Sequence, residues 1–287
     1  MELNAIRYPQ GPDNFDIEKF KKFGGVPRLI FSDIDDEEEA LDEEIRNFQA
    51  SKIISYIKDK TVREEKYSHK VLCMVPDENF RTIRYLDFIS EYAAEHVINN
   101  IYADSRQELS EFFAANIREA SAMPSTLLGR IYEMLCHKIL KNGGIDLHFT
   151  GRDGISVTLK LPKDVTHQSF TKLDDITLDT QALVYYVPTF STFGALDSFI
   201  IDRKTMRCFG LQITINRDHG IKRKPLCDFL QWLEDQGIPN FYFGFMVPKH
   251  LASNYPKQVI RTSANMATIK PGKIDDLKQY VVPLDIF

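Results

Sequence analysis

The sequence predicts an α/β protein, an α/β/α sandwich built on a mixed sheet and preceded by a mainly helical region. Three observations carry this expectation. Residues 145–149 and 155–161 alternate apolar and polar side chains on either side of Gly151-Arg152-Asp153-Gly154, the pattern of a hairpin. Two further apolar runs, 195–202 and 208–216, flank the polar turn 203–207 and form a second hairpin. Between these strands and the continuous apolar run 241–247 lies a helical repeat of Leu226, Phe229, Leu230 and Leu233, so strand, helix and strand follow one another.

Taken in order, residues 15–22 have helical periodicity, which Gly24-Gly25 stops. Residues 33–44 hold nine acidic side chains in twelve and read as the first turns of a helix that continues through Ile54 and Ile57. Such a run is a solvated face or a surface for a basic protein partner. A short strand is expected at 71–75, and amphipathic helices at 86–101 and 107–120. The break near 121–124 divides the chain into a mainly helical region, 1–120, and the sandwich, 121–287.

The second part opens with a helix from Pro124-Ser125 to Lys141. Its apolar stripe is Leu127, Leu128, Ile131, Leu135, Ile139 and Leu140, and Gly143-Gly144 ends it. The first hairpin follows, then a polar loop, a strand at 183–187 and the second hairpin. Pro225 stands at the first position of the next helix, which Gly237 closes. Strands at 241–247 and 280–286 complete the sheet.

Composition bounds the rest. With 287 residues, 43% of them hydrophobic and 27% charged, the chain buries an ordinary core, as one large domain or two smaller ones. No run approaches the ~20 apolar residues of a membrane helix, so no membrane partner is expected, and the opening residues have no signal-peptide pattern. Cys73, Cys136, Cys208 and Cys227 lack C-x-x-C spacing, which indicates buried free thiols rather than a zinc site or a disulfide framework. Charge is uneven. Residues 1–120 hold 16 Lys and Arg against 25 Asp and Glu; the remainder hold 20 against 16. The basic cluster Arg217, Lys222, Arg223 and Lys224 is either a solvated helix start or a surface for a polyanion such as DNA.

Residues 181–226 are the one stretch where apolar strands carry unexpected polar groups. On the run 208–216, Gln212, Thr214 and Asn216 share one face, and Leu211, Ile213 and Ile215 the other. Gln212 and Thr214 then stand about 6.6 Å apart, twice the ~3.3 Å rise per residue, on a polar ledge that Asp197 can reach from the neighbouring strand. That geometry suits a metal or a phosphate. Each residue also has a plainer explanation: Asp197 as a turn cap, Gln212 and Thr214 as partners of buried backbone groups, His219 as a surface residue, Glu133 as an exposed helix residue.

The order of a helix glutamate, a strand aspartate, a strand with a polar pair and a basic helix resembles the restriction-endonuclease-like (PD-(D/E)XK) nuclease fold. More closely, five segments resemble the C-terminal nuclease region of Crinkler and retrotransposon hot spot (RHS) proteins. They are Tyr185-Tyr186-Val187-Pro188, Leu196-Asp197-Ser198-Phe199, Phe209-Gly210-Leu211-Gln212-Ile213-Thr214, Asp218-His219-Gly220-Ile221-Lys222 and Phe243-Gly244-Phe245-Met246-Val247-Pro248. The resemblance covers residues 124–287. Phe23-Gly24-Gly25-Val26-Pro27-Arg28 is similar to the segment that follows the P-loop ATPase in those proteins, which implies the C-terminal part of that architecture without its ATPase core. The resemblance further implies an effector acting on DNA in the nucleus of a host cell. Glu133 and Asp197 would hold Mg²⁺ or Mn²⁺, Gln212 would take the position of the second acidic residue, and Thr214 that of the lysine. Thr214 supplies no positive charge, so His219 or Lys222 would have to do so.

Three functions are therefore carried forward: a divalent-metal-dependent DNA endonuclease, a nucleic-acid-binding effector domain that no longer cleaves, and a protein-interaction module using the acidic N-terminal region.

Overall fold

The structure is a computed structural model and describes residues 17–24, 36–49, 51–52, 70–76, 83–104, 107, 110–111, 122–178, 183–189, 193–261, 274 and 276–286. It is a mixed α/β fold. The chain divides into two compact units, residues 1–131 and 132–286, with the division inside a long helix rather than at the sequence break near 121–124.

The first unit contains α1 (Ile17–Phe23), α2 (Asp36–Arg46), β1 (Leu72–Pro76), β2 (Ile83–Phe88), α3 (Glu91–Asp104) and the start of α4 (Ala122–Asn142). The acidic stretch does become a helix. It buries Leu41 and Ile45, one turn apart, and places Glu38 and Asp42 at 2.9 and 3.2 Å from the ammonium of Lys22. The Tyr92 hydroxyl donates to Asp42 at 2.8 Å. Part of the acidic run is thus paired within its own unit, while Glu39 and Glu43 are exposed.

The expected helix over 86–101 is corrected. Residues 83–88 pair antiparallel with β1, Leu72 opposite Phe88, and Leu86 and Phe88 are both buried, which is a period of two and not of 3.6. The helix starts only after Ser90, whose hydroxyl accepts the Ala93 N–H at 3.1 Å as an N-cap. The continuation of α2 through 54–57 lies outside the described residues, as does nearly all of the helix expected at 107–120.

The second unit contains the rest of α4, then β3 (Gly143–Gly151), β4 (Ser156–Lys163), β5 (His167–Phe170), a 3-10 turn (Leu173–Asp175), β6 (Leu183–Pro188), β7 (Ser198–Asp202) and β8 (Arg207–Ile213). There follow β9 (Ile221–Lys222), α5 (Arg223–Asp235), β10 (Asn240–Pro248), α6 (Lys249–Ala252), β11 (Ile260–Arg261) and β12 (Gln279–Leu284). Eight strands form one sheet in the order β4-β3-β12-β10-β8-β7-β6-β5. It is mixed: β12, β10 and β8 run parallel, and β3 to β4 and β6 to β7 to β8 are antiparallel. α5 is the crossover between the parallel neighbours β8 and β10, as such a connection requires. The turn from α4 into β3 has no loop at all. Gly143 takes φ 60°, and a Cβ there would lie 1.8 Å from the Pro162 carbonyl oxygen.

Helices touch both faces of the sheet. Tyr185 and Ile200 are cross-strand partners and so share a face, which α4 meets where His137 reaches the Tyr185 hydroxyl. Phe199 alternates to the other face, where its ring lies 4.9 Å from that of Phe229 on α5. Phe229 also packs on Phe193, Trp232 and Phe241. Covered on both sides, Cys208–Ile213 are all buried, so the half-polar ledge expected on this run is not a solvent-facing surface. α5 begins at Arg223, which makes Pro225 its third residue instead of its first. This costs nothing, because the first turn of a helix has no acceptor for those N–H groups.

The aromatic cluster around Phe229 fastens the crossover helix to the sheet. Phe229→Ala is expected to lower unfolding stability by about 3–5 kcal/mol, read as a shift of the urea midpoint at unchanged slope. A loss under about 1 kcal/mol would show that the cluster collapses around the gap or that α5 is held elsewhere.

Candidate functional site

The site forms where β7 begins and β8 ends. Asp197 immediately precedes β7 and not, as expected, within the strand. Its N–H donates to the Leu211 carbonyl at 2.9 Å, and its Oδ2 accepts the Ile213 N–H at 2.6 Å. One residue thereby spans the end of β8 with backbone and side chain, and a charge-assisted bond of this length fixes the carboxylate.

Gln212, one position before Ile213, is only 8% exposed. Its side-chain nitrogen lies 2.7 Å from Nε2 of His219, and its Oε1 is buried with no hydrogen-bond partner. Burial, followed by the positive charge of Lys222, lowers the pKa of His219 below its ordinary value, with Glu133 acting the other way. A neutral ring accepts the Gln212 amide N–H through Nε2, which leaves its own proton on Nδ1. The orphaned Gln212 carbonyl is the informative atom, since a buried acceptor without a donor is costly unless something else meets it.

Thr214 lies just past β8. Its N–H continues the ladder to the Met246 carbonyl at 3.0 Å, and its hydroxyl accepts the Asn216 N–H at 3.0 Å. That is a local hydroxyl turn which bends the chain into the loop 215–220. Thr214 therefore shapes the loop, while Asn216 and Arg217 are exposed upon it.

The loop is held by a residue that sequence reasoning missed. Gln258, 4% exposed, accepts the His219 N–H at 2.7 Å and donates to the carbonyls of Arg217 and Pro256 at 2.8 and 2.9 Å. Its backbone exchanges two bonds with the Gln279 side chain. Tyr255 adds a bond from its hydroxyl to the Asn216 carbonyl, and Arg261 grips Asp218 at 2.9 and 3.2 Å. Each of these partners is about 40 residues away in sequence, and no local pattern marks them.

Glu133 projects from α4, half-buried, with Oε1 at 3.6 Å from Nε2 of His137. Its negative charge acts on His219, and together with that of Asp197 it acts on the Tyr185 hydroxyl and the Cys136 thiol. Both of these are raised well above their ordinary values, chiefly by burial. Glu133, Asp197, Gln212 and His219 thus form one electrostatic neighbourhood. Among the described residues no group of three or more His, Cys, Asp or Glu side chains is placed to hold a metal ion. The carboxylates of Glu133 and Asp197 and the Gln212 amide oxygen are hard oxygen donors, the kind that Mg²⁺ or Mn²⁺ takes with water completing the shell.

The basic residues are distributed beside this neighbourhood. Lys222 lies exposed on β9, Arg223 opens α5, and Lys224 pairs with Asp228 at 3.0 Å. β11 pairs with β9 and sets Arg261 opposite Lys222, adding a fifth basic residue to the four expected from sequence.

Because the folded-state pKa of His219 is depressed, the unfolded chain takes up this proton first as pH falls. Stability is fully present above about pH 6.5 and declines below it, as far as the folded-state value. Replacing His219 by Gln is expected to flatten this part of the curve in urea midpoints between pH 7.5 and 5; an unchanged slope would show that the ring is not held neutral. No family model matches the chain, and no curated protein or solved structure matches it either.

Proposed function

We propose that residues 132–286 are a restriction-endonuclease-like nuclease domain of the Crinkler/RHS type, which cleaves DNA with Mg²⁺ or Mn²⁺ in the nucleus of a host cell. The observation that carries the reading is the buried Gln212 oxygen without a partner, on a side chain that meets His219, where the charge of Glu133 is felt, and one residue before the Ile213 N–H that Asp197 holds. Glu133, Asp197 and Gln212 would hold the ion. When bound, it supplies an activated water and charge stabilisation at the scissile phosphate. Asp197 is pre-organised for this by its bond to Ile213, so little reorganisation is needed when charge develops.

The strand lacks a lysine, and the positive charge has to come from elsewhere. Lys222 is the better candidate: its charge is already felt at His219, next to Gln212, whereas burial keeps His219 neutral. Arg217, Lys222, Arg223 and Lys224 would bind DNA phosphates. Cations at the start of α5 oppose the positive end of the helix dipole, a local cost that an anionic ligand would offset.

A second reading, binding without cleavage, is favoured by the same absence of a strand lysine together with Gln in place of an acid. A plasmid-nicking assay with Mg²⁺ or Mn²⁺ against EDTA separates the two. Asp197→Asn and Glu133→Gln are expected to lower cleavage about 100-fold or more while folding is retained. Gln212→Glu keeps or raises cleavage if the residue is a ligand; if it only satisfies neighbouring groups, stability falls instead. Robust nicking by both Asp197→Asn and Glu133→Gln would sink the metal site.

The phosphate contacts have their own test. Replacing Lys222, Arg223 and Lys224 together by Gln should weaken DNA binding for every sequence and reduce the salt dependence by about 0.9 per lost contact. Unchanged affinity and slope would place these residues on a solvated face and leave the acidic α2 surface as the more promising contact.

A further inference from the structure

We infer that Lys222 and Arg261 form a seat for a DNA backbone phosphate, and that Asp218 occupies this seat until the phosphate displaces it; the inference rests on the DNA-binding reading above. β9 and β11 run parallel, with Ile221 opposite Ile260 and Lys222 opposite Arg261. Paired residues of a ladder project to the same side, and successive ones alternate. Ile221 is therefore turned into the core, and Lys222 and Arg261 stand exposed together on the other side. Two cations on neighbouring strands, about 4.8 Å apart at the backbone, repel one another. An anion beside them relieves that repulsion.

In this structure that anion is the carboxylate of Asp218, whose two oxygens stand 2.9 and 3.2 Å from one terminal nitrogen of Arg261. Gly220 gives the guanidinium room: a Cβ there would lie 2.3 Å from its Nε and 2.9 Å from its Cζ, so the arginine rests against the loop backbone. Both partners stand largely in water, 61% and 79% exposed, and an ion pair so exposed is weakly held. A phosphate, with its own charge and several oxygens to offer, can replace it. The exchange asks little of the protein. Gln258 holds the Arg217 carbonyl on one side of Asp218 and the His219 N–H on the other, so the backbone stays in place and only the Asp218 side chain has to turn away. The seat also lies beside the candidate metal site. Burial is the main cause of the depressed His219 pKa, and the charges of Lys222, Arg261 and Asp218 all act on that ring, the first two lowering its pKa and the last raising it, while the ring itself meets Gln212. A purely structural ion pair predicts the reverse behaviour, since breaking it would loosen the loop and leave DNA binding unchanged or weaker.

Binding of a fluorescently labelled DNA duplex to the full-length chain, followed by anisotropy in EDTA at several salt concentrations, tests the seat without cleavage. Asp218→Asn should tighten binding about fivefold, and Arg261→Gln should weaken it about fivefold and lower the salt slope by about 0.9, the value of one phosphate contact. In the Arg261→Gln background, Asp218→Asn should change affinity by less than about twofold, because the seat it vacates is gone. Thermal melts establish that each variant is folded, and Arg261→Ala removes the same charge should Arg261→Gln fail to fold. Equal tightening by Asp218→Asn in both backgrounds would mean that Asp218 merely repels DNA, and its stand-in role would be wrong. An Asp218→Asn variant that binds no better than wild type, or an Arg261→Gln variant with unchanged affinity and slope, would overturn the seat and leave DNA binding through the other basic residues standing. A folded wild type that binds no DNA would sink the DNA-binding reading itself, and the seat with it.

Discussion

The bond from the Ile213 N–H to Asp197 fixes the geometry on which the rest of the site depends. β8 is the strand from which Gln212 and Thr214 issue, and its end would be free to fray beyond the last paired residues, Ser198 and Leu211. Asp197 prevents this by closing two bonds onto it, one from the backbone and one from the carboxylate. The parallel partner β10 closes the other side through Thr214 and Met246. With both edges tied, the backbone at Gln212 is fixed, and the imidazole of His219 meets its side chain. A carboxylate so used is no surface ornament. It brings a negative charge to the edge of an apolar sheet, a cost that the Ile213 bond helps to offset.

A second constraint comes from the loop after β8. Residues 215–220 carry polar groups into a place where the sheet offers no ladder, so every carbonyl and N–H needs a partner of its own. Gln258 answers for the His219 N–H and the Arg217 carbonyl with one side chain, Tyr255 answers for the Asn216 carbonyl, and Arg261 holds the Asp218 side chain. The short pairing of β9 with β11 continues the same fastening into the start of α5. The loop is therefore built from both sides, with its polar atoms engaged in pairs, and Gln212 Oε1 stands out against it as a buried acceptor left over.

Much of the sheet was legible because alternation survives wherever one face is less buried than the other. β3 and β4 alternate around a Gly-rich turn and are read directly, as are the β7–β8 hairpin and the α5 stripe. β8 itself misleads: it is buried on both faces, so the polar alternation of Gln212 and Thr214 marks buried partners and not a wet ledge. The first half of the chain was harder. Leu86 and Phe88 precede a genuine helix closely enough for the two to merge into one apolar pattern, and only the Ser90 cap divides them. β5, β9 and β11 are four residues or fewer, too short for a period to declare itself. In the site, Asp197 and Gln212 are visible as polar residues inside apolar runs. Gln258 and the Arg261–Asp218 pair are not, because their meaning lies in contacts across 39 and 43 residues of sequence.

The missing strand lysine is where the proposed chemistry and the fold constrain each other most. A lysine at position 214 would bring its charge along the strand that already carries Gln212, but the chain needs the Thr214 hydroxyl to accept the Asn216 N–H and turn into the loop. Lysine has no acceptor and could not make that turn. The loop in turn carries the chain to β9, where Lys222 stands on a paired strand and its charge reaches His219. On the proposed reading, the cation has moved from the strand to the far side of a pinned loop, and the pins are what make the move workable. The β9–β11 pairing holds the backbone of Lys222, whose exposed side chain lowers the pKa of His219 beside Gln212. Gln258 fixes His219 and Arg217 from behind with one buried amide, so in the proposed chemistry it would act through the geometry of the loop and not by contact.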